Sequence, residues 1–230
     1  MDNDAGTIQP KARVLVVDDH PLVRQGLVQI INQQPDLVVC HEAATHAEVL
    51  ATCAAGIPDL IVMDLRLREG DPLEFIKSIK GQYPDLRLLV LSQFDEALYA
   101  ERCLRAGASG YIMKEQGSED VLGAIRTVLA GRIYVTPEMN TRLLMRSIAT
   151  KPLPGEMSFG NLTDRELQVL QLLGSGKGNR EIARQLRLSV KTVETYREHL
   201  KHKLSLRNAD ELVYYARQWI EKHLGVPGSV

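Results

Sequence analysis

Four apolar runs in this chain each end on a side chain able to do chemistry. Val14–Val17 runs into Asp18 and Asp19, Leu60–Met63 into Asp64, Leu88–Leu91 into Ser92, and Gly110–Met113 into Lys114. Runs of this kind read as strands, and in an open parallel α/β sheet ligands bind beyond the carboxyl ends of the strands. Carboxylates gathered in one place repel and recruit a proton or a cation. An all-oxygen set favours Mg²⁺, which takes few protein carboxylates and keeps phosphate and water oxygens. Asp64 can then act as a nucleophile toward phosphorus and carry an aspartyl phosphate. Lys114 would pair with the phosphoryl oxygens and Ser92 would donate a hydrogen bond to one of them. Each residue alone has a plainer reading, as a cap, a surface lysine or a turn hydroxyl, and the conjunction carries the argument.

A second group lies near the C-terminus. Val190–Lys203 follows a shorter helical stretch after the three-residue hop Arg187-Leu188-Ser189, the spacing of a helix-turn-helix. In that motif the second helix enters the major groove with its N-terminal residues toward the bases. With Val190, Val193 and Leu200 expected inward, the outer face carries Lys191, Thr192, Glu194, Thr195, Glu198 and Lys201. Lys191, Lys201 and the Thr192 hydroxyl suit phosphates. Glu194 and Glu198 could accept from cytosine N4, and Thr195 could touch a thymine methyl. The glycines of Gly174–Gly178 suggest a phosphate loop, but Gln171, Gly178 and the lack of a preceding strand exclude it.

The elements that must hold these residues divide the chain. From Ala12 to Arg132, strand and helix patterns alternate five times. Continuous apolar runs (Val14–Val17, Leu37–Cys40, Leu60–Met63, Leu88–Leu91, Tyr111–Met113) predict strands buried on both faces. Helices open at Pro21, Thr45, Pro72, Asp95 and Ser118, and Gly107 and Gly131 stop the last two. Five βα units predict a doubly wound, five-stranded parallel sheet. Thr136-Pro137-Glu138 starts a short helix reaching about Ile148, and Lys151–Gly155, with two prolines and a glycine, breaks the chain as a linker does. Beyond Leu162 four helices are expected. Thr163 and Glu166 form one capping box, Asn179 and Ser189 cap the next two helices, and Asn208 with Glu211 opens the last, through Trp219. The expected domains are therefore 10–132, a linker with a short helix at 133–160, and an all-α domain at 161–224.

Charge follows the same division. Residues 1–131 hold 12 Lys and Arg against 19 Asp and Glu, a net of −7, whereas 132–230 hold 16 against 10, a net of +6. Only the second half is expected to meet a polyanion. Cys40, Cys53 and Cys103 form no CxxC pair and read as free or buried thiols. Met1–Gln9 is polar and acidic, unlike a signal peptide, and no apolar run approaches the roughly 20 residues needed to cross a membrane. A soluble, cytoplasmic protein is expected, with no membrane partner.

The segment Ala12–Arg132 resembles the response-regulator receiver domain, through Val17-Asp18-Asp19, Asp64, Ser92 and Tyr111-Ile112-Met113-Lys114. The resemblance implies a flavodoxin-like fold with Asp64 as phosphoacceptor for a histidine kinase. It implies Mg²⁺ held by Asp19, Asp64 and the Arg66 carbonyl, with Asp18 acting through water, and Ser92 and Tyr111 as a switch pair. Arg68 and Pro72 stand where the family usually has proline and glycine, and Glu115 follows Lys114 in place of a frequent proline. Arg66 and Phe94, both bulky, are expected to crowd the phosphoryl group and slow its hydrolysis. The segment Leu162–Trp219 resembles the LuxR-type output domain of the NarL/FixJ class, through Leu162–Leu167, Asn179–Ala183, Ser189–Glu194 and Lys203–Leu206. That implies a four-helix DNA-binding domain whose last helix forms a homodimer on double-stranded DNA, an inverted repeat being expected. It places Glu194, Thr195 and Glu198 toward the bases with Arg197 on the flank. The expected function is a phosphorylation-controlled transcriptional regulator rather than an enzyme acting on other substrates. A phosphatase of the Asp-x-Asp type would need an acid at position 66, where Arg66 stands, and a regulator that no longer uses phosphate would not need the complete acid, hydroxyl and lysine set.

Overall fold

The structure is a computed structural model and describes residues 10–65, 67, 71–148 and 162–224. The chain falls into two compact units, 1–141 and 142–230. Unit one begins with β1 (Ala12–Val17), α1 (Pro21–Asn32), β2 (Leu37–Ala43), α2 (His46–Ala55) and β3 (Leu60–Met63). It continues through α3 (Pro72–Gln82), β4 (Arg87–Ser92), α4 (Glu96–Ala106), β5 (Gly110–Met113) and α5 (Ser118–Leu129). The sheet is parallel throughout, in the order β2-β1-β3-β4-β5. The order of strands reverses between β1 and β3, and doubly wound folds bind ligands at such a switch point.

Alternation along the strands sorts the core. Val14, Val16, Leu60, Val62, Leu89, Leu91 and Ile112 face α1 and α5, where Leu27, Ile31, Val121, Ile125 and Val128 cover them. Leu15, Val17, Ile61, Met63, Leu88, Val90 and Tyr111 form the other face and are equally buried. Burial on both faces explains why these strands are continuous apolar runs. β2 departs from that expectation. It is an edge strand whose register against β1 shifts between Val14 and Leu15, and beyond that shift His41 and Glu42 are both exposed.

Helix starts largely follow the local chemistry. Thr45 accepts from the Glu48 amide, Asp71 from those of Leu73 and Glu74, and Asp95 from that of Ala97. Pro21 and Pro72 occupy first-turn positions. Ser118 is a correction: the chain enters α5 one residue earlier, with Gly117 at the cap. After α5 the chain returns to the sheet. The Tyr134 carbonyl accepts from the Tyr111 amide at 2.8 Å and the Tyr134 amide donates to Ser109, forming a parallel bridge on the free edge of β5. Thr136 then caps α6 (Pro137–Ile148), which spans the helix expected there.

Unit two contains α7 (Asp164–Gly174), α8 (Asn179–Leu186), α9 (Val190–Lys203) and α10 (Ala209–Leu224). The Thr163–Glu166 capping box forms in both directions. Asn179 is the first residue of α8 rather than its cap, which is Gly178, and α10 runs five residues past the expected end at Trp219. Leu167, Leu170, Leu173, Ile182, Val193, Leu200, Leu212, Ala216 and Trp219 make the core. Val190, expected inward, is 38% exposed, because it occupies the first turn of α9, beyond the reach of that core.

Candidate functional site

Register brings the chemistry of β1 and β3 together. Val17 pairs with Met63, and the Asp64 amide donates to the Val17 carbonyl at 2.8 Å, so Asp18, Asp19 and Asp64 leave adjacent strands side by side. On the other side Ser92 pairs with Met113, and the Lys114 amide donates to the Ser92 carbonyl at 2.8 Å. The Lys114 Nζ reaches across to donate to Asp64 Oδ2 at 2.7 Å and Asp18 Oδ2 at 2.5 Å. Asp18 and Asp64 are only 1% and 3% exposed. Burial makes an unpaired charge costly, and one ammonium between two carboxylates lowers that cost.

Three carboxylates therefore meet at one end of the sheet beside the Lys114 ammonium. Asp18, Asp19, His20 and Asp64 can each present a ligand atom within 4.8 Å of all the others. Hard carboxylate oxygens in that number suit Mg²⁺, which completes its shell from water and phosphate. His20 joins the site without any signal in the sequence motifs. Its Nδ1 lies 2.8 Å from Asp19 Oδ1, and its amide donates to Asp18 Oδ1 at 2.8 Å, so it orients the acids. Imidazole suits softer metals, which argues against a direct role toward Mg²⁺. Arg66, whose carbonyl is expected among the ligands, and Arg68 lie outside the described residues.

Ser92 is fully buried and its Oγ accepts from the Phe94 amide at 3.2 Å. The Tyr111 ring is also fully buried, and its hydroxyl donates to the Phe94 carbonyl at 2.7 Å. Burial pushes the Tyr111 phenol well above its usual range, so it stays a neutral donor. Phe94, expected beside the phosphoryl group, stacks on Tyr99 of α4 with ring centroids 4.8 Å apart. Pro72 starts α3 behind the Asp71 cap. A connection invisible in the sequence runs from this loop to the segment after α5. Glu96, buried at the start of α4, accepts from the Thr136 amide at 2.9 Å and the Thr136 hydroxyl at 2.5 Å.

In the second unit α8 and α9 are joined by residues 187–189, with Arg187 in the left-handed region at φ 56°. Lys191, Glu194, Thr195 and Glu198 are exposed on α9, while Thr192, Arg197 and Lys201 are half-buried. The Thr192 hydroxyl is bonded to that of Ser189 at 2.7 Å, and the Thr195 hydroxyl to the Lys191 carbonyl at 3.1 Å. Lys201 pairs with Glu198 at 2.9 Å, which offsets one of the two acids on this face. Arg197 turns toward α8 and donates to Asn179. Among the described residues no helix is long and apolar enough to cross a membrane, and Cys40, Cys53 and Cys103 form no disulfide.

Residues 14–126 match the response regulator receiver domain, and residues 160–216 match the luxR family of bacterial regulatory proteins. The oxygen regulatory protein NreC of Staphylococcus carnosus (strain TM300) is 36% identical over 208 residues, covering 89% of this chain and 96% of the relative. RcsB from Salmonella enterica serovar Typhimurium, bound to the promoter rprA in the presence of the phosphomimetic BeF3⁻, superposes with a TM-score of 0.69 at 25% identity. That match covers 90% of this chain and 99% of RcsB. A structure of two RcsB dimers bound to two parallel DNAs gives a TM-score of 0.55 at 25% identity, over 90% and 98% of the two chains. With its strand-end acids, its switch-point geometry and its second, helical domain, the chain belongs to the two-component response regulators of the NarL/FixJ class, a receiver joined to a DNA-binding LuxR-type domain.

Proposed function

We propose that phosphorylation of Asp64 controls how the second domain binds DNA. The observation that carries the reading is the convergence of Asp18, Asp19, Asp64 and Lys114 at one end of the receiver sheet. A histidine kinase is the donor. An Asp64 carboxylate oxygen attacks phosphorus, the P–N bond of the phosphohistidine breaks as the P–O bond forms, and the departing imidazole takes up a proton. Asp19, Asp64 and the Arg66 carbonyl would hold Mg²⁺, with Asp18 through water; when bound, the ion offsets the charge of the phosphoryl oxygens.

Lys114 already touches Asp64, so it changes partner rather than position when phosphoryl oxygens appear. Ser92 gives up the Phe94 amide to donate to the phosphoryl group. Because Tyr111 holds the carbonyl of the same residue, that change is felt along the loop into α4. The outcome is a shift in population toward a form that dimerises on DNA, with α10 as the dimer element. Lys191, Thr192 and Lys201 face phosphates, Glu194, Thr195 and Glu198 lie toward bases, and Arg197 borders them. The likeness to RcsB on its promoter with BeF3⁻, and to RcsB dimers on DNA, supports both steps. The reading makes the chain a cytoplasmic transcriptional regulator.

Incubation with acetyl phosphate and Mg²⁺, read by intact mass, tests the chemistry. A mass gain of one phosphoryl group that needs Mg²⁺ and is lost in Asp64→Asn is expected. An adduct that persists in the variant would sink the assignment of Asp64.

A further inference from the structure

Three lysines of the second domain are matched with acids: Lys201 with Glu198 at 2.9 Å, Lys203 with Glu166 at 2.7 Å and Lys177 with Glu181 at 3.6 Å. Arg197 is held differently. Its Nη1 donates to the side-chain oxygen of Asn179 at 2.5 Å, and among the described residues no acid lies within ion-pair distance of it. A neutral amide oxygen fixes a guanidinium in place without cancelling its charge. A carboxylate in the same place would fix it and neutralise it together.

Asn179 is the first residue of α8, and Arg197 lies midway along α9. Both line an open groove of about 590 Å³ between the two helices, together with Arg180, Val190 and Glu194. Glu181 also borders it, but its carboxylate is committed to the Gly178 amide at 3.0 Å and to Lys177. In a helix-turn-helix the first helix crosses the DNA backbone while the second enters the major groove. A cation fixed at their junction therefore meets a phosphate before it meets a base edge. One of the five guanidinium N–H groups goes to Asn179, and the others are enough for a bidentate phosphate contact.

We infer that Asn179 is a positioning residue for DNA binding, holding the charged Arg197 fork across the α8–α9 groove to clamp a backbone phosphate. The inference rests on the DNA-binding reading of this domain and assigns to one residue pair a contact that does not depend on base sequence.

Because a phosphate contact is blind to sequence, the test needs no operator. Full-length protein is titrated onto a fluorescent random-sequence duplex of about three helical turns, at several KCl concentrations, with melting temperatures recorded for each variant. Wild type binds and weakens as salt rises. Arg197→Ala binds about tenfold more weakly, and the slope of log K against log salt becomes shallower by about 0.9 for each phosphate that is no longer neutralised. Asn179→Ala weakens binding several-fold, with no further loss when added to Arg197→Ala. Asn179→Asp, which pairs with and neutralises Arg197, flattens the slope as Arg197→Ala does while its melting temperature stays at or above that of wild type. An unchanged slope in Arg197→Ala overturns the inference alone, as does an Asn179→Ala loss that persists in the Arg197→Ala background. Failure of wild type to bind any duplex would remove the DNA-binding reading and the inference with it.

Discussion

Asp19 is placed for chemistry: its carboxylate, with those of Asp18 and Asp64, can offer a ligand atom within 4.8 Å of the others, and His20 Nδ1 lies 2.8 Å from its Oδ1. Asp19→Asn keeps an oxygen for His20 but gives up a charged ligand for Mg²⁺. The variant should label far more slowly than wild type with acetyl phosphate and Mg²⁺, read by intact mass; labelling at the wild-type rate would contradict that role. Glu166 serves stability instead. Burial raises its pKa, but the Lys203 ammonium and the Thr163 amide and hydroxyl outweigh this and leave the carboxyl below its usual range. A depressed folded value adds stability that is complete above the ordinary glutamate range and is lost as pH falls through the folded value. Glu166→Gln should therefore cost about 1–3 kcal/mol at pH 7, and its gap from wild type should narrow as pH drops below about 4. A gap independent of pH would show that Glu166 acts through packing alone.

At the level of elements, Gly174 sets how closely α7 and α10 approach. A Cβ there would sit 2.2 Å from the Ala216 carbonyl oxygen and 2.8 Å from Ile220 Cδ1, and a backbone oxygen cannot turn aside as a side chain can. Gly174→Ala is expected to destabilise the second domain by about 1–3 kcal/mol, seen as a lower melting temperature with the receiver transition unchanged. The strands, their ends and most helix starts are legible in the sequence because their signals are local: an apolar run, a terminal acid, a threonine three residues before a glutamate. At Ser118 and Asn179 the cap falls one residue earlier, on Gly117 and Gly178 in ordinary extended conformation, where no side chain marks the start. What stays hidden are pairings between distant residues. Glu96 with Thr136, Tyr111 with the Phe94 carbonyl, and Asn179 with Arg197 are fixed by packing and leave no periodic trace. Val190 departs from its expected place for a related reason, since helical periodicity says nothing about where the core ends. The return of Tyr134 to the sheet edge is likewise unreadable, as a single bridge needs no strand-like run.

For the whole molecule, the division of charge suits a regulator in which one half handles a phosphoryl group and the other a polyanion. The acidic half concentrates buried carboxylates around Lys114, and the basic half leaves Arg197 charged and fixed on the helix that carries Lys191 and Thr195. One covalent phosphoryl group can shift a population between two forms only by its different interaction energy with each. In the proposed switch, Ser92, Tyr111 and Phe94 are the residues through which that difference would pass. The most direct measurement is the affinity of full-length protein for a duplex recovered from a random pool, with and without acetyl phosphate and Mg²⁺, alongside Asp64→Asn. Binding that tightens at least about tenfold on phosphorylation, in wild type and not in Asp64→Asn, is the predicted result. Equal affinity in both states, with Asp64 shown by mass to be fully phosphorylated, would contradict it.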